Sequence, residues 1–288
     1  MNLRRAVVTA IRNPGMPTAY FRWILYRIFT LRGPYIRVGS GARIGCKWIR
    51  FSEYWSYLGL GPGPGPSISQ PTTALISSCL LRAGEKSVAV DVGANIGIFS
   101  TAFAAAGFSE VHAFEPIPAT FARLEENVEF NCFGSRVKLN AQGLGDQERV
   151  AEMQYDQGNP AEAHIVTEAT PGACPIKITT LDRYAELNQI HRIDFLKIDT
   201  EGYETAVLRG AETLLREKRV SLILLEWYPE LLIRAGSGPD ELWRTIMDAG
   251  YLMYLNFSAG KTDTPVTFDE LKSMPWSNLI AVPAEDVA

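Results

Sequence analysis

At 288 residues the chain is long enough for two domains, or for one large α/β domain carrying an extension. Hydrophobic residues make up 47% and charged residues 21%, a globular balance that excludes a disordered, collagen-like or wholly coiled-coil chain. The formal net charge of -4 conceals an asymmetry: residues 1–50 hold nine arginines, one lysine and no acid, which leaves -14 on the remainder.

The N-terminal apolar stretch Ala6–Ile11 is too short for a signal-peptide core, and no later apolar run approaches the roughly 18 residues of a membrane span. Cys46, Cys79, Cys132 and Cys174 form no C-x-x-C pair, so neither a zinc site nor a disulfide framework is indicated. A cytoplasmic, non-spanning protein is expected. Residues 18–32 place Phe21, Ile24, Leu25, Ile28 and Leu31 on one helical face and Arg22, Trp23, Tyr26, Arg27 and Thr30 opposite. This basic helix either docks its apolar stripe on the main domain, or rests on anionic lipid at the inner membrane face with Trp23 and Tyr26 at the interface, or meets an anionic substrate. Ile36–Gly45 has the look of one β-helix coil, but no second repeat follows and that reading is discarded. Glycine and proline alternate through residues 59–67, which excludes helix and central strand. They mark a hinge between an extension, residues 1–70, and a domain of residues 71–288.

Beyond Lys86, apolar strands alternate with amphipathic helices. Strands are expected at residues 87–93, 110–116, 136–143, 194–200, 221–228, 251–257 and 278–283. One helix is expected over Glu204–Lys218, with Val207, Gly210, Ala211, Leu214 and Leu215 as its core stripe, and another carries Phe121, Leu124 and Val128. This alternation implies a parallel, doubly wound α/β sheet. Residues 149–180 break the rhythm and read as a short β insertion.

The first strand runs into Asp91-Val92-Gly93-Ala94-Asn95-Ile96-Gly97 and then a helix, the setting of a nucleotide-binding βα turn. Gly93 would allow the backbone to approach a ligand, and Gly97 would let the helix pack on the sheet. A dinucleotide fingerprint would need glycine at positions 95 and 98, and Asn95 and Ile98 stand there. Asp91 would turn an anion toward the ligand, which suits a cationic amino-acid group better than a pyrophosphate. Glu115, in HAFEP with Pro116, stands about 20 residues onward, where such folds grip ribose hydroxyls. After the third strand, Gln142 and Gly143 offer an edge contact and a small-residue platform for adenine, while Asp146 is either a cofactor contact or a turn acid.

The fourth strand end, DFLKIDTEGYE, gathers charge where an open α/β sheet places its active site. Asp199, Glu201 and Glu226 are the base candidates, with Lys197 in reserve. Lys197 in so apolar a strand must be paired or have a lowered pKa. Glu204 would complement its helix dipole. Trp227 and Tyr228 are either pocket wall or core, and His112, His164 and His191 read as structural.

DVGANIG, AFEP, LDRY, DFLKIDTEGYETAVLRGA and ILLEWYPE, in that order, resemble the motifs of the FkbM-type methyltransferase family, over residues 86 to 228. The resemblance implies a class I, Rossmann-like methyltransferase sheet of seven strands with the last antiparallel; the basic helical N-terminal extension before it matches no family pattern. It also implies S-adenosylmethionine over Gly93, Ala94, Asn95 and Gly97, with ribose contact by Glu115. The expected reaction is O-methylation of a sugar hydroxyl on a polysaccharide, glycolipid or glycosylated natural product. A glycan or small-molecule hydroxyl acceptor is expected, and no nucleic acid. The same acids could hold a divalent metal, but no motif fixes such a site and none is predicted. The alternatives are a nicotinamide-dependent oxidoreductase, which the glycine spacing and Asp91 disfavour, and a non-catalytic cofactor-binding regulator.

Overall fold

The computed structural model describes residues 35–38, 42–45, 70–156, 159–166, 172–257, 260–261 and 264–286. The expected helix of residues 18–32, Trp23 and Tyr26 included, and the glycine-proline run of residues 59–67 lie outside them. The described parts of the β-helix-like segment Ile36–Gly45 fall in two antiparallel paired strands, β1 (Tyr35–Val38) and β2 (Ala42–Gly45). After it come α1 (Gln70–Arg82), β3 (Val88–Val92), α2 (Ile98–Ala106), β4 (Glu110–Phe114), α3 (Pro118–Phe130), β5 (Val137–Asn140) and β6 (Gly143–Leu144). The middle of the chain forms β7 (Arg149–Asp156), β8 (Asn159–Val166), β9 (Cys174–Thr179), α4 (Leu181–Leu187), β10 (Phe195–Ile198), α5 (Glu204–Arg209) and α6 (Glu212–Arg216). It closes with β11 (Ile223–Trp227), α7 (Pro229–Arg234), α8 (Pro239–Asp248), β12 (Tyr251–Phe257), β13 (Gly260–Lys261), α9 (Phe268–Leu271) and β14 (Ser277–Pro283).

The main sheet has the order β13-β12-β14-β11-β10-β3-β4-β5. Strands β5, β4, β3, β10 and β11 are parallel, and β14 runs antiparallel to both β11 and β12. This is the expected seven-strand sheet with its last strand reversed, extended at one edge by the two-residue β13. The chain leaves β3 toward β4 on one side and returns to β10 on the other, so the crevice at the strand ends opens between β3 and β10.

Alternation along the strands feeds two cores, as a sheet covered on both faces requires. Ala89, Val111, Phe195 and Leu224 face α1, α2 and α3 through Ile76, Phe103, Leu124 and Val128. Val90, Phe114, Leu196 and Leu225 face Val207, Leu208, Leu214, Leu242 and Ile246 of α5, α6 and α8. Strand β2 lies against α2 and α3, with Ala42 buried.

Two expectations are corrected. The third strand stops at Asn140, because Gly143–Leu144 leaves the main sheet to pair with β9 in a second sheet of order β6-β9-β7-β8. The insertion is thus a four-stranded sheet of its own. The helix expected over Glu204–Lys218 breaks in two at Gly210, which packs so closely on the Gly145 carbonyl that a Cβ there would stand 1.9 Å from the oxygen. The break exposes the first N–H groups of α6, and Asp182 of α4 accepts those of Thr213 and Leu214 at 2.8 and 3.0 Å.

Candidate active site

A cavity of 1530 Å³ lies at the strand ends, bounded by the turns after β3, β4, β10 and β11 and by the inner face of the insertion sheet. It exceeds the 300–1,000 Å³ typical of a single small ligand, as a site for a cofactor and an acceptor must.

Its cofactor side is built by two successive turns. Asn95 and Ile117 donate their backbone N–H groups to the two Glu115 oxygens, each at 2.9 Å. Glu115 therefore stitches the β3 turn to the β4 turn. Burial pushes its carboxyl up to about 7, against the lowering effect of those two bonds. Each carboxylate oxygen has a second acceptor site, so Glu115 keeps capacity for a vicinal diol. Gly93, Ala94, Asn95, Glu115, Pro116 and Gly143 all line this side of the cavity. Such a ledge, with a buried carboxylate set between two turns, fits S-adenosylmethionine.

The other expected contact residues are placed as follows. Gly93 has φ +70, and a Cβ there would stand 1.9 Å from the Asp199 carbonyl oxygen, so its close approach is to the chain after β10. Gly97 does not line the cavity: a Cβ on it would meet Leu124 of α3 at 2.6 Å, so it packs helix on helix rather than helix on sheet. Gln142 and Asp146 are also outside the lining. Asp91 is fully buried and accepts from Ser100 Oγ at 2.5 Å, so it does not turn toward a ligand.

Asp91 acts instead through Lys197. The Lys197 ammonium lies 3.3 Å from Asp91 and 3.5 Å from Asp199, and donates to the carbonyls of Val92 and Gly93 at 3.3 and 2.8 Å. Burial works against its charge, but Asp199 and Asp91 outweigh it and hold the pKa above the ordinary lysine value. A charged ammonium has no lone pair to accept a proton, so Lys197 is a tie between the two sides of the site and not a reserve base.

On the opposite side stand Asp199, Glu201 and Glu226, all lining the cavity. Glu201 is pushed up to about 8, by burial first and then by the charges of Asp199, Glu226 and Glu204. It has φ +54, a left-handed conformation that few non-glycine residues adopt. Glu226 is pushed up to about 7 by burial and by Asp199, while Trp276 Nε1 donates to its Oε1 at 2.6 Å. Glu204 stands in the first turn of α5, as its helix-dipole role expects, and also folds back to accept from Thr200 N, Thr200 Oγ1 and Gly202 N. It braces the turn that presents Glu201. Among the described residues, no three His, Cys, Asp or Glu side chains are placed to hold a metal ion.

The remaining candidates sort into structure and wall. Trp227 is core, its indole donating to the Leu271 carbonyl at 3.1 Å. His112 pairs with Tyr184 Oη at 2.9 Å, and burial pushes it down to about 4, so it is neutral and structural. His191 is exposed, and His164 lines the cavity from β8. The sequence reading missed Ser100, Arg149, Arg234 and Trp276. Arg149 opens the insertion sheet and donates to Tyr203 Oη, which joins that sheet to the turn after β10. Ser100 closes the VAVDVGANIGIFS segment without a role being read for it, and the other three sit in no motif. Only the exposure of Trp276, visible once the chain is folded, marks it out.

A family model described as the methyltransferase FkbM domain matches residues 91–253. The chain is 27% identical over 227 residues to the hexuronic acid methyltransferase AglP of Haloferax volcanii, covering 79% of this chain and 85% of that one. It is 29% identical over 152 residues to methyltransferase 1 of Beauveria bassiana, covering 44% of this chain and 59% of that one. Among solved structures it is similar to precorrin-6y C5,15-methyltransferase of Geobacter metallireducens GS-15, at 15% identity and a TM-score of 0.38, covering 74% of this chain and 89% of that one. The family match displaces the oxidoreductase and regulator alternatives and implies S-adenosylmethionine as the methyl donor. With its reversed last strand, its Glu115 ledge and its match over residues 91–253, the chain belongs to the FkbM methyltransferase family and is a methyl-transferring enzyme.

Proposed function

We propose that the protein methylates a sugar hydroxyl, on a polysaccharide, glycolipid or glycosylated natural product, with Glu201 as the base. S-adenosylmethionine, held by Gly93, Ala94, Asn95, Glu115 and Pro116, supplies a sulfonium-bound methyl group. A hydroxyl is a poor nucleophile until its proton is drawn off, and a base is best matched when its pKa lies near the working pH. The observation that carries the reading is the placement of Glu201 in the same cavity as the cofactor ledge, with its carboxyl pushed up to about 8 by burial and by the charges of Asp199, Glu226 and Glu204. Glu226 and Asp199 keep Glu201 poised by like charge, and Lys197 fixes Asp199 against the cofactor turn. The Haloferax volcanii relative, by its name a hexuronic acid methyltransferase, supports a sugar acceptor. A screen for labelled-methyl transfer over bacterial glycans and lipid-linked saccharides tests this. Methyl ethers on sugar carbons are expected, and methylation of amines or proteins alone contradicts the reading.

We also propose a cytoplasmic site of action with salt-sensitive peripheral attachment through residues 1–50. Ten positive charges without an acid support it, since each basic residue near anionic lipid gains about 1 kcal/mol while an exposed ion pair gains roughly 0–1 kcal/mol. No described helix is long and apolar enough to cross a membrane. Flotation with anionic liposomes, with and without residues 1–50, should show salt-sensitive binding only for the full chain. Equal flotation of the two forms contradicts it.

A further inference from the structure

The cavity carries two side chains that neither cofactor binding nor proton removal uses. Trp276, just before β14, is 47% exposed, an unusual state for the largest apolar side chain, yet its indole is fixed by the 2.6 Å bond to Glu226. It lines the cavity beside Ser277 and Asn278, on the side of the acids rather than the cofactor ledge. A tethered, half-exposed indole presents a rigid apolar surface with little conformational entropy left to lose on binding. That surface suits the C–H face of a pyranose ring, whose hydroxyls at the rim would then meet Asn278 and the acids.

The second is Arg234, at the end of α7. It lines the same cavity, lies close enough to Glu201 to lower its pKa, and makes no ion pair among the described residues. Of the other cations lining the cavity, Lys197 is tied to Asp91 and Asp199 and Arg149 donates to Tyr203, so the guanidinium beside Glu201 is the one without an ion pair or hydrogen bond among the described residues, and its planar fork matches a carboxylate. A neutral sugar would leave it without a counterpart. An acidic acceptor could approach the three carboxylates only if its own charge were met at Arg234.

We propose that Trp276 and Arg234 form the acceptor subsite, Trp276 stacking a sugar ring and Arg234 pairing with its carboxylate, so that the acceptor is a uronic acid unit. This rests on the sugar-acceptor reading and narrows it. The test uses the full chain, a uronic-acid-terminated oligosaccharide and its carboxyl-reduced counterpart, with labelled-methyl transfer as the readout. Wild-type enzyme prefers the acidic acceptor. Arg234→Gln raises KM about tenfold more for the acidic than for the reduced acceptor, which removes the preference, while Trp276→Leu raises KM for both by about tenfold, equivalent to about 1.4 kcal/mol. Neither changes the affinity for S-adenosylhomocysteine, and both side chains are exposed enough for the variants to fold. Equal effects of Arg234→Gln on the two acceptors, or no effect of either substitution, overturn the subsite and leave sugar methylation standing. Failure of the wild type to methylate either saccharide overturns the sugar-acceptor reading, and the subsite with it.

Discussion

Glu115 combines a structural task with a place in the cavity lining. Its carboxylate holds the backbone of Asn95 and Ile117 and still faces the cavity. Glu115→Ala should weaken S-adenosylhomocysteine binding by about 1–3 kcal/mol in calorimetry, because a ligand contact is lost and two N–H groups are left without their acceptor. Unchanged affinity would remove Glu115 from the cofactor site. Its position was legible from sequence because strand order and spacing place it at the tip of β4. The role of Asp91 was not: a strand-end acid points either to ligand or inward, and only the register of Lys197 opposite Asp91, with Ser100 one helical turn into α2, directs it inward. Trp276 and Arg234 were invisible for a different reason. They come from separate elements, α7 and the approach to β14, and share the cavity lining only in the folded chain.

At the scale of elements, the continuous apolar runs announced the strands because both sheet faces are buried. What the runs could not announce is contact at a distance. Val207, Leu208, Leu214 and Leu215 satisfy one continuous helical stripe, yet Gly145 presses on Gly210 and the helix divides. Asp182, within the LDRY motif, then caps the second half from a neighbouring helix. Asp182→Ala should lower stability by about 1 kcal/mol, the usual worth of a lost N-terminal cap, read as a shift in denaturation midpoint with little change in slope. A midpoint equal to wild type would show that water caps α6 equally well. The insertion sheet was legible as a break in rhythm but not as a wall of the cavity, since only the folded chain brings Arg149 to Tyr203.

For the whole molecule, the site imposes a pH dependence on stability. Burial raises the carboxyls of Glu115 and Glu226 to about 7 and that of Glu201 to about 8, from an ordinary 4.5, so the folded chain binds protons that the unfolded chain releases. Their contribution to stability is complete below 4.5 and is lost as the pH rises through 7 to 8. The Tm of cofactor-free protein should therefore fall between pH 5 and pH 8.5, and Glu201→Gln should flatten part of that fall. An identical slope in the variant would mean that Glu201 titrates normally. Catalysis asks the opposite of the same group, since a base must be ionised, so turnover should climb with pH toward a plateau above about 8. The most direct measurement compares wild type with Glu201→Gln for labelled-methyl transfer to a uronic-acid-bearing glycan, with S-adenosylhomocysteine affinity measured alongside. A general base contributes about 10²–10⁴-fold, so a loss of that size in kcat with cofactor affinity unchanged is the predicted result. Near-normal turnover in the variant, at a pH where wild-type Glu201 is ionised, would contradict the central claim.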